Sequence, residues 1–355
     1  MIESRKILPL GKNAPVKYDL MLYVEMEALL SNKFTSNSAK AWYMTKYTQL
    51  YCLRADKIIA NKGLFYKNVH ISQPKNPFIK ELITFAIFYR PLSMLKYVIN
   101  QISRGRYIKI LLDHFYLPEY KFYNKKHFYH TEFIYGYDLE KGVLYVIGSA
   151  NLRMGGFKRT TISICDFLKS YESSRNTKLT KPITAIVIKE WKKYEFNFNE
   201  FYKGVFAYYN SKSSVINRLC AYNDKHSFFN KYGMNAYDEL LKILKKDLCV
   251  LDKSALNLIK YLQAFADYKK LMLQRIEYLY ENEFLNQSEF NNIYYDYMKV
   301  VDGFNIIIAL YIKNSIFTTS QTQNKIIDKL EEVKKIEKNC LDNILSICRN
   351  IKIKS

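Results

Sequence analysis

The chain has 355 residues, 49% of them hydrophobic, enough to bury a large core in one large domain or two medium ones, which argues against a disordered chain. Lys and Arg outnumber Asp and Glu by 55 to 33, a formal charge of +22 that suits polyanionic partners such as nucleic acid, an acidic carrier protein, or phosphopantetheine and nucleotide groups. That charge is spread along the chain, no nucleic-acid-binding signature accompanies it, and an AT-biased Lys-, Asn- and Tyr-rich composition accounts for it equally well, all of which weakens the nucleic-acid case. No apolar run reaches the roughly 18–20 residues of a membrane span; the best, FNIIIALYIKNSIF, is broken by Lys313. MIESRKILPLGKN lacks the apolar region of a secretory signal, so a cytoplasmic location and no membrane partner are expected. Cys52, Cys165, Cys220, Cys249, Cys340 and Cys348 show no CxxC pairing, which argues against a zinc site and a disulfide framework.

The predicted elements begin with YDLMLYVEMEALLS, an amphipathic helix with Asp19 as its N-cap. SRGRYIKILLDHFYL reads as a turn leading into a buried strand that ends near Asp113. TEFIYGYD and GVLYVIGS are apolar, rich in β-formers and separated by LEK, so they form a hairpin with Gly142 in its turn. FKRTTISI is a further strand running into a short helix that begins at Asp166, and PITAIVIKEW is the last strand. Beyond it the period turns helical, through NEFYKGVFAYYNS, NAYDELLKILKK and a long run from Asp252 to Phe284. Two more helices follow: SEFNNIYYDYMKVVDGFNIIIALYIKN, with a kink expected at Gly303, and a tail with apolar positions at Ile326, Leu330, Val333, Ile336 and Cys340. The fold class is α+β, with residues 1–175 a mixed α/β domain and 176–355 a mainly helical one. With no Gly/Ser/Pro linker between them, the two are expected to pack together.

Three of the five histidines, His114, His127 and His130, fall close together. A histidine at the start of a strand that runs into a tight hairpin presents its imidazole at a sheet edge. There it can take a proton from a nucleophile on a facing helix. In the papain-like version a cysteine sits at the N-terminus of a central helix, whose dipole lowers the thiol pKa, and the sheet supplies the histidine and an acid or amide. His130 is the candidate base, set against a structural histidine bonded to a backbone carbonyl, and His127 reads as structural. Asp138 either joins the site or starts the Asp-Leu-Glu-Lys turn; Asp113 is either a paired buried carboxylate or a strand-end residue facing the site. Cys52 and Cys165 read as packed thiols, and the aromatic positions of the helical half read as core.

The succession LLDHFYLPEY, HFYH and IYGYDLEKGVLYVIGS resembles the family of butirosin biosynthesis protein H and its relatives in nonribosomal-peptide gene clusters, itself related to bacteriocin-processing peptidases. The likeness continues through FNEFYKGVFAYYNS, YGMNAYDELLKIL and LQAFADYKKLMLQRIEYLY, so it covers most of the chain. The resemblance implies a papain-like, cysteine-protease-type domain over residues 1–175. It also implies thiol-dependent acyl or peptidyl transfer, forming or cleaving an amide on a carrier-bound thioester of specialised metabolism. The implied partners are an acyl or peptidyl carrier protein with its phosphopantetheine-linked substrate and an amine acceptor. No further cofactor and no metal is implied, and a homodimer is an open option. On this likeness His130 matches the base, while Asp113 and Asp138 match acids that shape the site.

Two positions depart from the family's pattern. The nucleophile's place at the start of the first helix matches Leu20, between Asp19 and Met21, and no cysteine precedes Cys52. The acid or amide at the end of the second hairpin strand meets Gly148 and Ser149, with Asn151 just beyond. Three accounts are open. A nucleophile has been replaced at Ala14 or Ala28, Ala14 being favoured because a short polar segment before a helix is where the thiol belongs; or Cys52 serves instead; or the chain is a noncatalytic relative that binds a carrier protein or peptide product. Nucleic-acid binding is the remaining function class.

Overall fold

A computed structural model of the chain describes residues 3–12, 14–53, 69–71, 75–85, 89–151, 156–177, 182–213, 230–247, 255–317 and 319–354. In chain order the elements are β1 (Arg5–Ile7), α1 (Leu20–Ser31), α2 (Ser36–Lys46), β2 (Leu50–Leu53), β3 (Val69–Ile71), β4 (Ile79–Phe85), α3 (Pro91–Ser103), β5 (Tyr107–Asp113), β6 (Tyr129–Asp138), β7 (Val143–Asn151), β8 (Gly156–Ser163) and α4 (Ile164–Arg175). They continue with β9 (Pro182–Ile188), α5 (Phe198–Tyr209), β10 (Asn230–Tyr232), α6 (Asn235–Asp247), α7 (Ala255–Glu281), α8 (Gln287–Asn314) and α9 (Ser320–Lys354). The chain divides into two compact units, Met1–Ala39 with Pro77–Lys193, and Lys40–Asn76 with Tyr194–Ser355. This division differs from a single boundary at residue 175: β9 joins the first unit because it pairs with β4 and β5, and β2 joins the second because it pairs with β10.

The first unit is built on an antiparallel sheet of order β4-β9-β5-β6-β7-β8, with β1 added beside β6. Its central strand β5 is the expected run IKILL, buried along its length except at Lys109, as a strand flanked on both sides must be. Helix α4 is pinned to it by small side chains. Ser170 Oγ accepts from the Asp113 amide and donates to the Asp113 carbonyl, and Ser174 Oγ donates to Leu111 O. That helix starts at Ile164, capped by Ser163, so Asp166 stands in its first turn and does not begin it.

The β6–β7 hairpin forms as the sequence predicts, with a bulge in β6 between Ile134 and Gly136. β5 occupies one edge of β6 as far as Ile134, and β1 takes over that edge from Gly136 to Asp138. The Gly-Tyr-Asp triplet is what seats β1. A Cβ on Gly136 would lie 2.8 Å from the Lys6 carbonyl oxygen, the Tyr137 hydroxyl donates to Glu3 O, and Asp138 lies 3.7 Å from the Arg5 guanidinium. Helix α1 begins at Leu20 with Asp19 as N-cap, as expected, but it is not amphipathic. Leu20, Leu22, Tyr23, Val24, Met26, Glu27, Ala28 and Leu29 are all buried, so its buried positions run round the helix and are not confined to one stripe.

The second unit holds a small antiparallel sheet of order β10-β2-β3 and the helices α5 to α9. β10 is therefore a strand beyond PITAIVIKEW, short enough at three residues to carry no sequence pattern. Helix α8 continues without a break in its helical span through Gly303; a Cβ there would meet Val333 Cγ2 at 2.2 Å, so this glycine allows close helix packing. In α9 the buried stripe runs through Ile326, Leu330, Val333 and Cys340, but Ile336 is only half-buried and Glu337 turns inward instead. Its carboxylate receives Lys269 Nζ at 2.8 and 2.9 Å, Tyr237 OH at 2.5 Å and Tyr297 OH at 2.6 Å, while Tyr208 OH accepts from Lys269 at 2.6 Å. No helix among the described residues is long and apolar enough to cross a membrane.

Because both charges of this pair are fully buried, removing one leaves the other uncompensated. Lys269→Met should lower the stability of the second unit by about 3–5 kcal/mol, and Lys269→Met/Glu337→Leu should recover most of that, as measured by chemical denaturation. Burial lowers the Lys269 pKa to about 8, so between there and its ordinary value of 10.5 the unfolded chain holds the proton the fold has released, and stability rises with pH. Burial, and then the Glu337 charge, raise the pKa values of Tyr208, Tyr237 and Tyr297, so the fold keeps protons that the unfolded chain loses above about pH 10, and stability falls from there. Relative to Lys269→Met, the native chain should gain stability as pH rises from about 8 to 10.5, read as the difference between their denaturation midpoints, in which the buried cysteines and tyrosines common to both chains cancel.

Candidate functional site

The site lies where β5 ends and β6 begins. His130 pairs with Leu112 in the β5–β6 register, and Glu132, two residues on, shares its face of the strand. Directly after β5 the chain makes a 3-10 turn, His114–Tyr116, capped by the Asp113 side chain, which accepts from Phe115 N. The connection returns through Tyr120 to Phe128, whose carbonyl accepts from His114 N. Three side chains thereby converge on one carboxylate. His114 Nε2 lies 2.9 Å and His130 Nδ1 3.0 Å from Glu132 Oε1, and Tyr120 OH donates to Glu132 Oε2 at 2.7 Å.

Glu132 is wholly buried. Burial pushes its carboxyl up, but the hydrogen bonds and charges of His114 and His130 together carry it net below the ordinary value, so it is ionised and can only accept. Both imidazoles must then donate to it, which makes Nε2 the basic nitrogen of His130. The Tyr120 phenol is pushed up by its burial and then by the Glu132 charge, so it stays a donor. The rings are held by aromatic contacts: the His114 and Tyr120 centroids lie 4.1 Å apart with the rings tilted by 43°, and His130 is nearly parallel to Phe128 at 6.0 Å. His114 is enclosed, whereas the His130 side chain is 29% exposed, so the cluster has one imidazole open to solvent.

The space for the carboxylate is made on the neighbouring strand. Phe133 pairs with Ile147, which sets Gly148 beside Glu132, and a Cβ on Gly148 would fall 1.3 Å from Glu132 Oε2. At the end of β7, where the resemblance places an acid, a glycine makes room for an acid reaching across from β6. Sequence reasoning passed over Glu132 and Tyr120, and noted His114 among the clustered histidines without giving it a role. The signal was present in His130-x-Glu132, since residues two apart on a strand share a face and Glu132 precedes the apolar Phe133 and Ile134.

The remaining candidate residues are dispersed. Asp113 is next to the cluster but serves His127, whose Nδ1 lies 2.5 Å from its Oδ2; Ser173 Oγ donates to the same oxygen, and the amides of Phe115 and Phe128 donate to the other. Burial raises the Asp113 carboxyl, and these hydrogen bonds outweigh it and hold it below the ordinary value. Asp138 lies eight residues along β6 from His130, about 25 Å at strand rise, where it accepts from Lys141 N in the turn. Asn151 pairs with Gly156 at the end of β7, and its side chain lies outside the described residues. Ala14 is buried six residues before α1, its amide donating to Glu27 Oε1, and Ala28 is buried within α1, so neither stands at the helix start. Leu20 does: it is the first residue of α1, and the Asp19 side chain accepts from Leu22 N.

The cysteines fall elsewhere. Cys52 belongs to β2 of the second unit, and its thiol is pushed up by burial and then by the Glu239 charge. Cys340 and Cys348 are in α9, both pushed up to about 12, chiefly by burial. Cys165 is exposed at the start of α4, beside Ser163, which pairs with Val143 near the hairpin turn, at the opposite end of β6 from His130. Cys220 and Cys249 lie outside the described residues. The sequence matches no protein-family model and no curated protein, so the likeness drawn above rests on the residues quoted for it. Fold and site together define an α+β protein with a histidine–glutamate cluster between two antiparallel strands.

If Gly148 exists to admit Glu132, the two positions must be coupled. Gly148→Ala should cost about 3 kcal/mol in the native background and less than about 1 kcal/mol beside Glu132→Ala. A double-mutant cycle by urea denaturation checks this, and equal costs in the two backgrounds would contradict the packing.

Proposed function

We propose that this chain is a papain-like relative of the acyl-transfer enzymes that binds, rather than transfers, an acyl or peptidyl group carried on the phosphopantetheine arm of a carrier protein. The observation that carries the reading is Leu20 at the first position of α1. A papain-like thiol sits there because the unpaired amides of the helix start lower its pKa and hold the oxyanion. Here that position bears a buried aliphatic side chain, and the carboxylate of Asp19 already takes the Leu22 amide, placing negative charge where an oxyanion would otherwise form. No described cysteine lies beside His130, the nearest in sequence, Cys165, being at the other end of the sheet. His130, oriented through Nδ1 by Glu132, supports descent from a base-bearing site, and the +22 charge suits an acidic carrier.

A fluorescent acyl-carrier protein should bind the chain, with an anisotropy change that weakens as salt rises from about 0.05 to about 0.5 M. Intact-mass spectrometry after incubation with the acyl thioester should show no acyl adduct, and release of carrier thiol should not exceed the buffer rate. An acyl-cysteine adduct would turn the reading back to transfer, and absence of carrier binding would remove it.

A further inference from the structure

We propose that His114, His130 and Glu132 form a binding site for one divalent transition-metal ion of the zinc type. The inference goes beyond carrier binding and does not rest on it. The three candidate ligand atoms lie within 4.8 Å of one another. Two of the three separations are already set by one oxygen: His114 Nε2 at 2.9 Å and His130 Nδ1 at 3.0 Å from Glu132 Oε1. A tetrahedral ion with bonds of about 2.0–2.1 Å needs ligand atoms about 3.3–3.4 Å apart. To admit the ion, each imidazole gives up the proton it donates to Glu132 and carries one on its other nitrogen, Nδ1 of His114 and Nε2 of His130; the nitrogen–oxygen contacts open by a few tenths of an ångström and the nitrogens draw toward one another. Two imidazoles and one carboxylate are a borderline donor set suited to zinc, cobalt or iron(II), whereas calcium and magnesium take oxygen throughout.

The surroundings are those of a built site. Tyr120 holds Glu132 Oε2 by a hydrogen bond at 2.7 Å, which leaves Oε1 as a single oriented donor atom. Tyr120, Phe128 and the neighbouring imidazole fix the planes of both histidine rings. All three ligands stand on β6 or on the turn that directly follows β5, two strands locked in register from Ile108 to Asp113. The buried glutamate charge is held by the imidazoles and the Tyr120 hydroxyl, and a dication at Oε1 would neutralise it directly. Three protein ligands leave a fourth position, and the partly exposed His130 provides the way in.

The test uses the full chain after dialysis against a chelator, titrated with Co²⁺ by absorbance and with Zn²⁺ by calorimetry. The expected result is one equivalent of Co²⁺ per chain with visible d–d absorption, and affinity at least about 100-fold weaker in His130→Ala. Zn²⁺ should raise the melting temperature of the native chain and leave that of His130→Ala unchanged. His130→Cys keeps a ligand at the position, so it should retain saturable binding and add thiolate charge-transfer absorption to the Co²⁺ spectrum. Binding by the native chain no tighter than by His130→Ala, or a Co²⁺ spectrum that His130→Cys leaves unchanged, would overturn the proposal.

Discussion

An ionised carboxylate enclosed within the first unit must be met by donors, and the local structure around Glu132 follows from that demand. Tyr120 and His114 both come from the connection between β5 and β6, a stretch of polar and aromatic residues with no regular pairing of its own. Their bonds to Glu132 tie that connection down. The third donor, His130, gains a fixed tautomer from the same contact and keeps its other nitrogen for work outside the cluster. Gly148 completes the arrangement from the neighbouring strand by the absence of a side chain.

The second unit also buries a glutamate, with a different result. Glu337 is met by a full positive charge and two tyrosine hydroxyls, and the whole set is sealed within the helices. A closed ion pair of this kind contributes little net stability over apolar packing, but a helix shifted in register would strand one of its charges. The Glu132 cluster differs in one respect that matters for chemistry: one of its donors reaches solvent.

The site combines features that pull apart on a simple catalytic reading. A histidine held by a carboxylate can serve as a base, yet on the proposed papain-like reading the thiol's position at the helix start carries Leu20, and the Asp19 cap occupies an amide of that helix end. The Gly-Tyr-Asp triplet that made the hairpin resemble an enzyme motif serves to seat β1. The proposed binding role is consistent with both observations.

Much of the architecture was legible because it is written in short-range pattern. The apolar run ending at Asp113, the hairpin around Gly142, the Asp19 cap and the long helices α7 to α9 each follow from periodicity and turn chemistry within a dozen or so residues. His130 could be singled out on the same basis, as a histidine opening a strand before a tight turn. Its partner could not. That Glu132 faces inward, that His114 and Tyr120 meet it, and that Gly148 makes room for it depend on which strands neighbour β6 and in what register, and a strand's own pattern does not name its neighbours. The same holds for Glu337, which in the sequence is a charge beside the apolar Ile336 and becomes core only because Lys269 and the hydroxyls of Tyr237 and Tyr297 on other helices are placed to receive it. Local order in this protein was determined by the sequence near each residue; which charges are buried, and what they can therefore do, was decided by tertiary pairing, since burying a charge is favourable only where distant segments supply its partners.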